Sequence, residues 1–138
     1  LGQHCVMGNI AGVNVQAGDR LVVVEGCESE TTIVGVPGQG IAETTANDTS
    51  VFSFHPLVQA GGAERLLRSM AGISRICFCR PGPTGDCSEP RHFLADVGLF
   101  TAKGPYDSNN RPCYVGSSCS IGNINGVGLS SGDEVIIG

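Results

Sequence analysis

Residues 1–24 read LGQHCVMGNIAGVNVQAGDRLVVV, and residues 115–138 read VGSSCSIGNINGVGLSSGDEVIIG; shifted by 114 positions, the first stretch lies on the second without a gap. Nine of the 24 aligned pairs are identical: Gly2/Gly116, Cys5/Cys119, Gly8/Gly122, Asn9/Asn123, Ile10/Ile124, Gly12/Gly126, Val13/Val127, Gly18/Gly132 and Asp19/Asp133. Other pairs exchange one apolar residue for another, as in Val15/Leu129 and Val22/Ile136. Self-similarity at a fixed spacing is the signature of a repeat architecture. The matched residues are those that fix backbone shape: Gly tolerates positive φ, and Gly-Asp ahead of an apolar run is a turn that launches a strand. One turn-and-strand framework is therefore specified twice, with different exposed residues. The expected organisation is one complete unit over residues 1–114 and, over 115–138, the first strands of the next unit. The sequence begins at Leu1 with neither an initiator Met nor a signal peptide. The matching expectation is an excerpt of a longer polypeptide, or a chain from which an upstream segment was removed.

Composition supports the same class. A chain of 138 residues is long enough for one domain, or one and a fraction, with a real core. Charged residues make up only 15%, there are 21 Gly and no Trp, which favours many short strands with Gly-rich turns over helices. The net charge of −5, with Lys103 the only lysine, argues against nucleic acid and against an anionic membrane surface as partners. No apolar run approaches the length of a bilayer-spanning helix, so no membrane insertion is expected.

Seven cysteines look awkward for disulfides until the repeat is taken into account. Cys119 is the second copy of Cys5, so one unit owns Cys5, Cys27, Cys77, Cys79, Cys87 and Cys113, an even set. Such a set points to an oxidising compartment, and hence to an extracellular or cell-surface location. Cys119 is expected to pair forward, with the following unit's equivalent of Cys27. Six cysteines permit about fifteen connectivities, of which the favoured one is Cys5–Cys27, Cys79–Cys87 around the loop RPGPTGD, and Cys77–Cys113 across the sheet.

Strand signals recur along the chain. Residues 20–25 are almost all Leu and Val, as in a strand buried on both faces. Residues 31–36 (TTIVGV) are β-branched and bounded by Pro37-Gly38. In 50–55, alternation puts Phe52 and Phe54 on one face; in 73–80 (ISRICFCR) it sets Ile76 and Phe78 against Cys77 and Cys79. Residues 92–103 supply one or two strands, and 135–137 repeat the first strong one. This succession, with turn residues between, is the pattern of an antiparallel sandwich. Residues 63–70 (AERLLRSM) depart from it, with Leu66, Leu67 and Met70 on one face of a short helix.

Asn47-Asp48-Thr49 is an acceptor triplet for N-glycosylation, and the Ser/Thr-rich stretch 43–50 is a candidate for O-linked sugar. Other chemistry lacks a framework. Cys77, Cys79, Cys87 and His92 have looser spacing than zinc knuckles, which favours disulfides. His4, His55 and His92 sit in no nucleophile or metal motif, and neither G-x-S-x-G nor H-E-x-x-H occurs. No enzyme activity, cofactor or metal is expected. Residues 126–132 (GVGLSSG) resemble a phosphate cradle, but their first copy, GVNVQAG, breaks that pattern, leaving a turn. Residues 107–110 (DSNN) cluster hard oxygen ligands without a defined calcium spacing and read as a solvated linker.

Three features together carry a family resemblance. They are the module Cys-x-x-Gly-x-x-x-Gly-Val…Gly-Asp from Cys5, the Cys77-Phe78-Cys79 strand, and the Phe93, Asp96-Val97-Gly98, Gly104-Pro105 segment. Residues 5–105 resemble the immunoglobulin-like repeats of very long surface and secreted proteins of protists, particularly alveolates. The resemblance implies an all-β fold: an immunoglobulin-like antiparallel β-sandwich with one short helix, stapled by disulfides. It also implies a surface coat, adhesin or extracellular fibre, and brings no catalytic residues; the helical stretch 63–70 is unusual for such a repeat. The leading expectation is a structural unit whose partners are copies of itself, joined in tandem or by strand addition, with glycans attached. The short linker 104–112, with two prolines, is expected to hold neighbouring units at a fixed angle. The alternative is a carbohydrate- or partner-binding module using loops 26–31 and 80–91, where aromatic residues are scarce.

Overall fold

The computed structural model describes residues 6–8, 10, 12–44, 49–54, 71–83 and 86–134. Its centre is β2 (Arg20–Val24), whose Leu21, Val22, Val23 and Val24 are all fully buried. Burial of a side chain of this size contributes about 1.5–3 kcal/mol, so a strand with no exposed face seeks the middle of a sheet. There it pairs antiparallel with β3 (Ile41–Thr44) on one side and β5 (Gly72–Cys79) on the other. With β1 (Val6–Met7), β4 (Phe52–Phe54) and β6 (Ala95–Ala102), these make one six-stranded sheet in the order β1-β4-β3-β2-β5-β6. A separate two-stranded ribbon joins β7 (Gly104–Pro105) to β8 (Gly126–Val127). The fold is all-β and disulfide-stapled; its only helical elements among the described residues are 3-10 turns at Pro37–Gly40 and Pro90–His92.

The two faces of the sheet carry different cores, and strand alternation sorts residues between them. Leu21, Val23, Ala42, Phe52, Phe54 and Ile76 lie in one cluster, with Phe78 and Phe100 packed against it. Val22, Val24, Cys77, Cys87 and Phe93 form the other, with Cys27 and Cys79 alongside. The register Val22↔Cys77 and Leu21↔Phe78 keeps like faces together, as the alternation in both strands requires. A register shift at Ile76/Cys77 against β6 absorbs Val97, an added residue of the kind that bends an edge strand.

Three strand expectations are met at β2, β4 and β5, and residues 92–103 supply the single strand β6 behind a 3-10 turn. Residues 31–36 are not a strand. Gly35 has a φ of 85°, and the Val36 amide turns back to donate to the Ile33 carbonyl at 3.4 Å. Val34 is 90% exposed, so its β-branched side chain has no sheet face to cover. The strand on this side is instead β3, immediately after the turn at Gly40. The helix expected over 63–70, the strand over 135–137, His4, Cys5, Asn47 and His55 lie outside the described residues.

Candidate functional site

The residues matched in the repeat build one turn at two places. In the first copy the Gln16 amide donates to Asp19 Oδ2 at 2.8 Å, and the Asp19 amide returns to the Gln16 carbonyl at 3.1 Å. In the second, the Ser130 amide donates to Asp133 Oδ2 at 2.8 Å and the Asp133 amide to the Ser130 carbonyl at 3.2 Å. Gly18 and Gly132 occupy the same place in the turn, with φ of 89° and 119°, values that a residue bearing Cβ rarely adopts. Asn14 and Gly128 also correspond, at φ 60° and 62°. Asn is among the few non-glycine residues that accept this region readily.

What surrounds each turn differs. Asp19 is 1% exposed and grips Arg80, whose Nε donates to Oδ1 at 2.9 Å and whose Nη2 donates to Oδ2 at 2.8 Å. This two-point geometry fits a guanidinium to a carboxylate and fixes orientation as well as energy. Nη2 of Arg80 also donates to the Asn14 carbonyl at 2.6 Å, and its guanidinium lies 5.8 Å over the Phe78 ring. Thr44 completes the seat: its hydroxyl donates to the Gln16 carbonyl at 2.8 Å and its amide to the Asp19 carbonyl at 3.0 Å. Hydrogen bonds from Arg80 hold the Asp19 carboxyl below its ordinary range against the opposing cost of burial, and the Gln16 amide adds to the effect. The first turn is thereby locked to β3 and to the end of β5. Asp133, by contrast, is exposed. The Ser130 hydroxyl is its further partner, donating to Oδ1 at 3.3 Å.

The chain between the two regions is tied to the second copy. Gly104 and Pro105 pair with Val127 and Gly126, and backbone approaches so closely at Gly126 that a Cβ there would strike the Gly104 carbonyl. Asn109 clips the ribbon by donating to the Tyr106 carbonyl at 2.8 Å and the Asn125 carbonyl at 2.6 Å, while accepting from the Asn125 amide at 2.9 Å. Arg111 donates to the carbonyls of Gly122 at 3.2 Å and Asn123 at 2.6 Å. The stretch read from sequence as a solvated linker is exposed at Asp107, Ser108 and Asn110, and it is also hydrogen-bonded as a clasp. The oxygen-rich run 107–110 supplies Asn109 to it, and among the described residues no group of three or more His, Cys, Asp or Glu is placed to hold a metal.

Among the described residues, three disulfides join Cys27 to Cys77, Cys79 to Cys87 and Cys113 to Cys119. Cys79–Cys87 is the expected loop closure. The expected Cys5–Cys27 and Cys77–Cys113 are replaced, because Cys77 faces the Val22 side of the sheet, where the turn after β2 delivers Cys27. Cys119 does not pair forward; it closes a six-residue separation back to Cys113 within the exposed tail. These bonds consume the thiols that a zinc site would have needed.

The remaining candidates are modest. His92 lies in the 3-10 turn before β6, and no partner reaches its buried Nδ1 among the described residues. In the loop after β5, the Asp86 carboxylate accepts from the Ser88 amide at 2.9 Å and hydroxyl at 2.7 Å. Thr44, inside the stretch considered for O-linked sugar, is only 5% exposed and its hydroxyl is committed. An apolar cleft of about 490 Å³ lies beside the first turn, lined by Ile10, Val13, Val15, Phe52, Phe78 and Arg80. No helix among the described residues is long and apolar enough to cross a membrane. No protein-family model, no curated protein and no solved structure matches this chain.

Proposed function

We propose that this chain is a structural repeat unit of an extracellular filament or surface coat, with residues 1–114 as one immunoglobulin-like unit and 115–138 as the start of the next. The observation that carries the reading is the Asp19 turn and the Asp133 turn, with matching hydrogen bonds at a spacing of 114 residues. The clasp at Asn109 and Arg111 supports a stiff junction, since a linker with its backbone tied down transmits orientation between units. Disulfides within the sheet and in the tail suit an oxidising exterior, where such arrays serve as spacers. In this reading the partners are copies of the unit, Asn47 carries N-linked glycan, and no catalytic step is involved. It agrees with the resemblance to protist surface repeats.

Electron microscopy of the native material tests the proposal. A rod with beads at about 35 Å, the diameter of a compact domain of this size, is expected. Isolated particles of one bead at all concentrations would contradict it.

A second reading, a carbohydrate- or partner-binding module, is favoured by the cleft beside Val13 and Phe78. Binding on a glycan array that is lost in Phe78→Ala would support it; an array without hits removes its carbohydrate form.

A further inference from the structure

The first copy of the turn shows what this module docks against, and in the second copy Ile124 is half-buried as Ile10 is, while Leu129 and Asp133 are exposed. Ile10 and Val15 pack against the core of the six-stranded sheet; their counterparts are Ile124 and Leu129, with Leu129 37% exposed. Asp19 is sealed under Arg80, while Asp133, in the same turn geometry, faces solvent. The local turn is therefore complete before its tertiary partner arrives, and what Asp133 lacks is a guanidinium on an apolar sheet.

We infer that the 124–133 module is a docking element for the sheet of a second copy of this unit, in which the arginine corresponding to Arg80 clamps Asp133 and the face corresponding to Ile76 and Phe78 covers Leu129. The occupant is identified by chemistry. A bidentate carboxylate of this geometry selects a guanidinium over an ammonium, and Leu129 beside it requires an apolar floor. In the first copy one surface supplies both: Arg80 directly follows the strand that bears Phe78. The inference rests on the tandem reading and names the contact that joins each unit's opening turn to its own body.

The test extends the full 138-residue chain directly with a second copy of residues 25–114, since Gly138 corresponds to Val24. Unfolding of the added unit is followed in Asp133→Asn, in Arg80→Ala of the copied segment, and in the double variant. Asp133→Asn preserves the turn's acceptor while removing the charge, so it separates the clamp from the fold. The expected result is a shift of about tenfold toward the unfolded state in each single variant, and no further shift in the double variant. In the unextended chain, Asp133→Asn should shift unfolding less than about twofold. Additive effects of the two substitutions, or an added unit that fails to fold on the module, would overturn the inference. The filament proposal fails separately, on the native material: a non-filamentous protein whose extended form shows the coupling keeps the clamp and loses the filament.

Discussion

The two Asp turns share their hydrogen bonds and their positive-φ residues, yet one is sealed in the protein and the other lies open to water. Asp19 and Asp133 each accept their turn amide at 2.8 Å, but only Asp19 has Arg80 closing over it. The difference separates two levels of structure. A local run of Gly, Asp and a residue three positions earlier is enough to set the turn, because the bonds involved span three residues. Burial needs a sheet and an arginine that lie 61 residues further along. Perturbations that act on the sheet should therefore distinguish the two copies, and those that act on the turn alone should not.

The largest separation is expected from the disulfide that anchors the sheet. Cys27 and Cys77 are 50 residues apart, so removing their bond restores a long loop to the unfolded chain, worth about 4 kcal/mol. Denaturation of a Cys27→Ala/Cys77→Ala variant should show this loss in the body of the protein. Amide exchange at Ser130 should stay at its starting rate, since Cys113–Cys119 and the turn bonds are untouched; a faster Ser130 amide would break the comparison.

Asp19→Ala comes next. It removes a turn acceptor and both contacts to Arg80, and should cost about 2 kcal/mol. Arg80 is 39% exposed, so water takes up part of its lost pairing and keeps the cost below that of a fully buried pair. Asp133→Ala should change global stability by less than about 0.5 kcal/mol, as for other surface positions. Equal losses in urea titrations of the two variants would mean that burial contributes nothing.

Acid should act through the buried Asp19 carboxyl. The Asp19 carboxyl titrates below its ordinary value of 3.8 when folded, so the stability it contributes is present above that pH. It is lost as pH falls below about 4 and through the folded pKa. In Asp19→Asn that segment of the stability–pH curve should flatten. Smallest of all, Asn109→Ala should speed exchange at the Tyr106 and Asn125 amides by loosening the ribbon, with the melting temperature of the body unmoved.

How far the sequence could be read follows the same division. The strands β2, β4 and β5 were legible because unbroken or alternating apolar runs state their own burial, as Leu21–Val24 and Phe52/Phe54 do. The turn framework was legible because it occurs twice. Residues 31–36 misled because β-branched side chains outweighed Gly35, whose left-handed backbone takes the chain out of a strand. β3, only four residues long, offered too little pattern to register. The disulfide pairs were half-legible: alternation put Cys77 and Cys79 on one face, but which loop meets that face is a matter of topology. Nothing local marks Arg80 as the partner of Asp19, nor Asn109 as a clip between Tyr106 and Asn125, because each reaches a backbone that only the fold brings near.

The central claim, that the sequence at 1–24 returns at 115–138 because the native protein is a tandem array, is tested most directly by the size of the native polypeptide. The measurement is a reducing, denaturing gel after removal of glycans. A band several-fold above the 14.2 kDa of this chain is the result expected of an array. A band near 14.2 kDa would contradict it and leave the Asp133 turn without a following unit.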